Sequence, residues 1–90
     1  MKWKKARKKS VEIEFREVEP KILIRIKHEE TDLAGEHVHI TEKIWGEIIH
    51  TLEGDHEAHV GIDYIIRGVR GKYYPIKKDI FYETYDVVEG

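Results

Sequence analysis

Apolar and polar residues alternate with a period of two along much of this 90-residue chain. Val11, Ile13 and Phe15 are separated by Glu12, Glu14 and Arg16, the pattern of a strand with one buried face. Pro20 interrupts the run. Ile22, Ile24 and Ile26 then alternate with Leu23, Arg25 and Lys27, predicting a second strand that forms either a hairpin with the first or one bent strand. Residues 28–36 are polar, carry Gly35 and read as a loop, and residues 37–40 read as a short strand.

Residues 41–52 carry two patterns. Ile44, Trp45, Ile48, Ile49 and Leu52 have helical spacing, with Thr41 placed as an N-cap. Gly46 and the β-branched Ile48, Ile49 and Thr51 oppose a helix. Periodicity leaves both open. Glu53-Gly54-Asp55 reads as a hairpin turn, followed by a strand over 57–60. Further on, Tyr64-Ile65-Ile66 is a compact strand core, and Gly68 and Gly71 bracket Val69-Arg70 as a turn. Lys72-Tyr73-Tyr74 returns as a strand that Pro75 ends or marks as an edge. Asp79 is placed as an N-cap for a short helix with Ile80, Phe81, Thr84 and Tyr85 on one face, and residues 85–88 close the chain as a strand. The expected fold is mainly β, a β-rich α+β domain: a small bent antiparallel sheet or partly open barrel with one short C-terminal helix.

Composition narrows the setting. The chain is 40% hydrophobic and 38% charged and has no cysteine, so no disulfide, thiol nucleophile or cysteine zinc site can form. The missing disulfides, the lack of an apolar run behind the basic N-terminus, and the lack of any apolar stretch near the ~20 residues of a membrane span lead us to expect a soluble protein of the cytoplasm. Of the 16 basic groups, six fall within the first nine residues; the other ten stand against 18 acidic groups, a body of net −8. Residues 1–10 are therefore expected to be a flexible basic arm on a single acidic domain spanning 11–90.

Two stretches carry a family likeness. One is Trp45-Gly46-Glu47-Ile48-Ile49-His50-Thr51-Leu52-Glu53-Gly54; the other runs from Asp63-Tyr64-Ile65-Ile66 through Gly68-Val69-Arg70-Gly71-Lys72-Tyr73-Tyr74-Pro75 to Asp79-Ile80-Phe81-Tyr82-Glu83-Thr84-Tyr85. Together they resemble small uncharacterised phage and prophage proteins of the PGDYL type. Those proteins have a Thr-Leu-Glu-Gly turn, a Pro-Gly-Asp-aromatic-Ile-Ile motif, a glycine hairpin ending in Tyr-Pro, and a closing Asp-Ile-Phe-x-x-Thr-Tyr. The likeness spans residues 45–88 and, more loosely, the first fourteen. Val60-Gly61-Ile62-Asp63 departs from Pro-Gly-Asp by a valine and an extra isoleucine, which we expect to bulge the strand. The resemblance implies a host-cytosol setting but no activity. It does favour strands over a helix at 45–52.

Candidate chemistry is sparse. His37-Val38-His39 places two imidazoles on one strand face with Glu42 following, a fragment of the cupin motif that holds a divalent ion in a β-barrel, with His56 or His59 as the later ligand. The alternative is solvent-facing histidines with no ligand role, and no cofactor is assigned. In the arm, Lys2, Lys4, Lys5, Arg7, Lys8 and Lys9 could contact phosphates and Trp3 could stack on a base; the plainer reading is a solvated charged tail. Tyr64, Phe81 and Tyr85 are expected in the core, and of Tyr73 and Tyr74 one is expected to lean outward. Ser10 is the only serine, and no phosphate-binding glycine loop is present. The functional expectation is a phage accessory protein of non-catalytic type, a binding module with an unknown protein partner, nucleic acid being an alternative partner through the arm. The rival expectation is a small cupin-like metal-dependent enzyme.

Overall fold

Residues 3–8, 11–20 and 27–88 are described by the computed structural model. The strand expected at 22–26, and Lys2, Lys9 and Ser10, lie outside them. The described residues form β1 (Lys4–Lys8), β2 (Val11–Glu17), β3 (Lys27–Thr31), β4 (His37–Lys43), β5 (Gly46–Thr51), β6 (Gly54–His59), β7 (Asp63–Arg67), β8 (Tyr73–Lys77), α1 (Lys78–Thr84) and β9 (Asp86–Val88). Five strands make one sheet in the order β8-β7-β2-β1-β9, and four make another in the order β3-β4-β5-β6. All pairings are antiparallel. The fold is thus mainly β with one short C-terminal helix, as the alternation predicts, but it is two layered sheets and not a closed barrel.

The two sheets differ in pattern because they differ in burial. Val38, Ile40, Ile49 and Ala58 point from the four-stranded sheet into the interior, where they meet Val18, Ile65 and Tyr73. The opposite face of that sheet is open, so β4 reads His-Val-His-Ile with polar residues outward. The five-stranded sheet carries a buried cluster on each face. Its second face carries Ala6, Ile13, Phe15, Tyr64 and Ile66 beneath Phe81 of α1. That is why Tyr64-Ile65-Ile66 is continuously apolar: Ile65 faces the other sheet, and its neighbours face the helix. Phe81, fully buried, packs 4.5 Å from Phe15 and 4.9 Å from Tyr64 between ring centres, a burial that contributes about 2–3 kcal/mol.

Two hairpins fix the register of β5. Lys43 pairs with Gly46 around Ile44-Trp45, and Thr51 pairs with Gly54 around Leu52-Glu53. Residues 41–52 are therefore strand and hairpin turn with no helix, and the β-branched Ile48, Ile49 and Thr51 fit the pleat of β5. At Gly46, a Cβ would lie 1.9 Å from the Ala58 carbonyl oxygen, so only glycine can occupy this position.

Several expectations are corrected. Residues 4–8 are not a flexible arm but a strand inside the five-stranded sheet, between β2 and β9. Their charge is met across the strands: Lys5 lies opposite Glu14, and Arg7 lies opposite Glu12 and Asp86. Ala6 is fully buried. A run of like charge repels in isolation, but here every second position faces a carboxylate on a neighbouring strand. The loop expected at 28–36 begins only after β3, whose Lys27–Thr31 alternate in exposure. Asp79 is not the N-cap of α1: that position is Lys77, and the Asp79 carboxylate accepts the Ile80 N–H within the first turn. Ile62 does not bulge a strand, since it sits exposed in the turn before β7. Tyr73 and Tyr74 do point to opposite faces, yet both pack, one between the sheets and one on the helix side. No helix among the described residues is long and apolar enough to cross a membrane.

Candidate functional site: a histidine-rimmed cleft at one end of the sandwich

The open face of the four-stranded sheet places Glu29, His39, His50 and Asp55 in a single row across four strands, each directly opposite the next. His50 is held at both ring nitrogens. Its Nδ1 lies 2.8 Å from Asp55 Oδ1, and its Nε2 lies 2.7 Å from Thr41 Oγ1. A carboxylate can only accept, so Nδ1 carries a proton, and in the neutral ring Nε2 then accepts the Thr41 hydroxyl. The order of groups is that of a relay, but the Asp55 side chain is 63% exposed. In water of high dielectric it orients the ring and adds little electrostatic drive. Glu29 takes His37 at 3.3 Å and His39 at 3.6 Å.

Where this row reaches the end of the sheet it borders a cleft of about 620 Å³ lined by Glu36, His37, His39, His50, Leu52 and Arg70, among others. Three turns meet there, and Asp32 joins two of them. Its Oδ1 accepts the N–H groups of Ala34 (2.8 Å) and Glu36 (3.0 Å), and its Oδ2 accepts the N–H of Gly71 from the β7–β8 turn at 2.5 Å. Leu33 N–H also donates to Gly68 O at 2.7 Å. Burial of Asp32 raises its pKa, but the Gly71, Glu36 and Ala34 N–H groups outweigh this and hold the carboxyl below the usual range. The third turn is the Leu52-Glu53 hairpin tip. There the Thr51 hydroxyl donates to Gly54 O at 2.7 Å and accepts the Glu53 N–H at 3.2 Å. That hydrogen-bonded turn leaves the Leu52 side chain entirely in solvent, at 108% relative exposure.

The expected metal set does not assemble. His37 and His39 share the open face, but His56 lies on the inward-facing side of β6 opposite Ile49, and His59 stacks on Trp45 at 4.7 Å beside Glu57. Glu42 is buried, and its carboxylate lies 3.4 Å from His28, which also lies 2.9 Å from Glu30. Among the described residues no three metal-binding side chains converge. Alternation explains the correction: Glu42, three residues from His39, must point to the opposite face.

The expected nucleic-acid set is also divided. Trp3 is packed against Tyr73, with the Arg67 guanidinium 4.3 Å and that of Arg16 5.2 Å from its ring centre, so it is held by the fold and not presented to a base. Lys4 and Lys8 share one face of β1, while Lys5 and Arg7 share the other. Sequence reading missed Thr41, Asp55, Asp32 and Leu52 as site residues. The only signal for Leu52 was an apolar residue inside an otherwise polar turn. No family model, curated protein or solved structure matches this chain.

Proposed function

We propose that this chain is a phage- or prophage-type accessory protein of the host cytosol that works as a binding module for a protein partner, engaged at the Leu52 end of the sandwich. The resemblance over residues 45–88 supports the class. One observation carries the mode of action: Leu52, a large apolar side chain, stands wholly in water at the tip of a hydrogen-bonded hairpin beside a 620 Å³ cleft. A leucine held there contributes nothing to the core, whereas seated in a partner's pocket it would bury its whole side chain, worth about 2 kcal/mol. Arg70, His37 and His39 supply a polar rim around that anchor, the usual arrangement of an interface with a dry centre.

The test is quantitative affinity capture from induced or infected cells with wild type, Leu52→Ser and Arg70→Glu as baits. A partner retained by wild type and lost about tenfold by Leu52→Ser, with thermal unfolding unchanged, is expected. An identical captured set from both baits would refute the reading.

A further inference from the structure

On its helix-bearing face the covering of the five-stranded sheet is incomplete. Helix α1 has only seven residues. Its Phe81 closes the part of the face around Phe15 and Tyr64. The other part, toward Lys8 and Val11 at the ends of β1 and β2 and toward the β7–β8 turn, is left as a groove of about 420 Å³. Ile13, Ile66, Gly68, Tyr74 and Tyr85 form its floor and far wall, and Val11 and Val69 flank its mouth. Val11 is 54% and Val69 47% exposed. Two β-branched apolar side chains left half in water at the lips of an apolar groove make a continuous unpaired apolar surface.

The groove's charge is one-sided. Lys8 and Lys72 stand at its rim, and among the described residues neither has an acidic partner. The one carboxylate in the lining, Glu12, is engaged by Arg7 at 3.4 Å. A further donor lies within: the Tyr74 and Tyr85 hydroxyls are 2.9 Å apart. One donates to the other, and the hydroxyl that accepts keeps its own O–H to offer. Gly68 deepens the floor, since a Cβ there would come within 3.4 Å of both Ile13 Cγ2 and Lys72 Cβ. Apolar walls, two free cations and a spare O–H select a ligand with an apolar body and a single negative head. The volume lies in the range of small-ligand sites and far below what a folded partner needs.

We infer that this groove binds a small apolar monocarboxylate, with the hydrocarbon body on Ile13, Ile66 and Gly68 and the carboxylate at Lys8 and Lys72. The groove shares no lining residue with the Leu52 cleft, although the β7–β8 turn borders both, and the inference does not rest on the reading given to that cleft.

Octanoate is a suitable probe, with octanol (the body without the charge) and acetate (the charge without the body) as its controls. In two-dimensional amide NMR titrations, octanoate is expected to give saturable shifts centred on Ile66, Gly68 and Val69. Octanol should need about tenfold more ligand for the same shifts, and acetate should give none. The doubly substituted Lys8→Glu/Lys72→Glu protein, altered only at exposed positions, should bind octanoate about tenfold more weakly and octanol unchanged. Gly68→Ala should weaken both. Non-saturating shifts, saturable shifts centred elsewhere, or equal octanoate affinity in the charge-reversed protein would each overturn the inference. So would shifts at these amides that depend on protein concentration without octanoate, because a second copy would then be the occupant.

Discussion

Arg16 of β2 and Glu47 of β5 grip each other across the two sheets through two parallel hydrogen bonds, Nη1 to Oε2 at 2.9 Å and Nη2 to Oε1 at 2.8 Å, with each side chain only 1% exposed. Glu30 stands 3.3 Å from the same guanidinium and accepts the Tyr73 hydroxyl. Burial opposes the charge on Arg16, but the Glu47 carboxylate outweighs it and keeps the guanidinium protonated. Among the described residues its Nε has no hydrogen-bond partner. The pair locks one sheet's register against the other while stabilising the fold little beyond what well-packed apolar residues would. Glu47→Ala, which strands the arginine, should cost about 3 kcal/mol in urea denaturation. The double change Arg16→Met/Glu47→Leu should recover most of it. A double variant no more stable than Glu47→Ala would contradict this account.

Two glycines with positive φ should respond very differently to alanine. At Gly46 the added Cβ meets the Ala58 carbonyl oxygen at 1.9 Å, and backbone must move. At Gly35, with φ of +87°, nothing lies within 4 Å. Gly46→Ala is expected to lose on the order of 3 kcal/mol or more, and Gly35→Ala about 1 kcal/mol from conformational strain alone. Thermal unfolding of the two variants side by side measures the difference. Equal losses would mean that the β4–β5 and β5–β6 pairings are not as described.

Trp3 distinguishes a packed strand from a free arm. Removing the ring takes away its edge contact with Tyr73 and its stacking on Arg67. Trp3→Ala should therefore lower stability by about 2 kcal/mol. An unchanged denaturation midpoint would return residues 3–8 to the status of a tail.

Asp32 predicts a pH dependence. Its carboxyl titrates below the ordinary range in the folded protein, so its stabilising effect is present above the unfolded value near 3.9 and is lost as pH falls through the folded value. Wild type should accordingly weaken below about pH 4. Asp32→Asn should be less stable than wild type at neutral pH, and the gap should narrow as the pH is lowered through that window. A gap of the same size at both ends would show that the N–H groups of Gly71, Glu36 and Ala34 do not favour the charged form.

Much of the secondary structure was legible along the chain because it depends on neighbours two residues apart. The alternation of Ile13 and Phe15, the apolar run Tyr64-Ile65-Ile66 and the glycines around Val69-Arg70 each specify a strand or turn without reference to anything distant. What tertiary structure decided is what those elements face. The basic run 4–8 became a strand because Glu12, Glu14 and Asp86 lie across from it, two of them on β2 and one some eighty residues away on β9. Strand β3 was hidden because an edge strand with charged residues on both faces carries no hydrophobic period. The candidate site was the least legible part. His39, His50 and Asp55 meet only through the register of three strands, and Asp32 reaches Gly71 only when the two sheets stack. Local pattern sets which way a side chain points along its own strand, and only the pairing of strands and the stacking of sheets determines which side chain it meets.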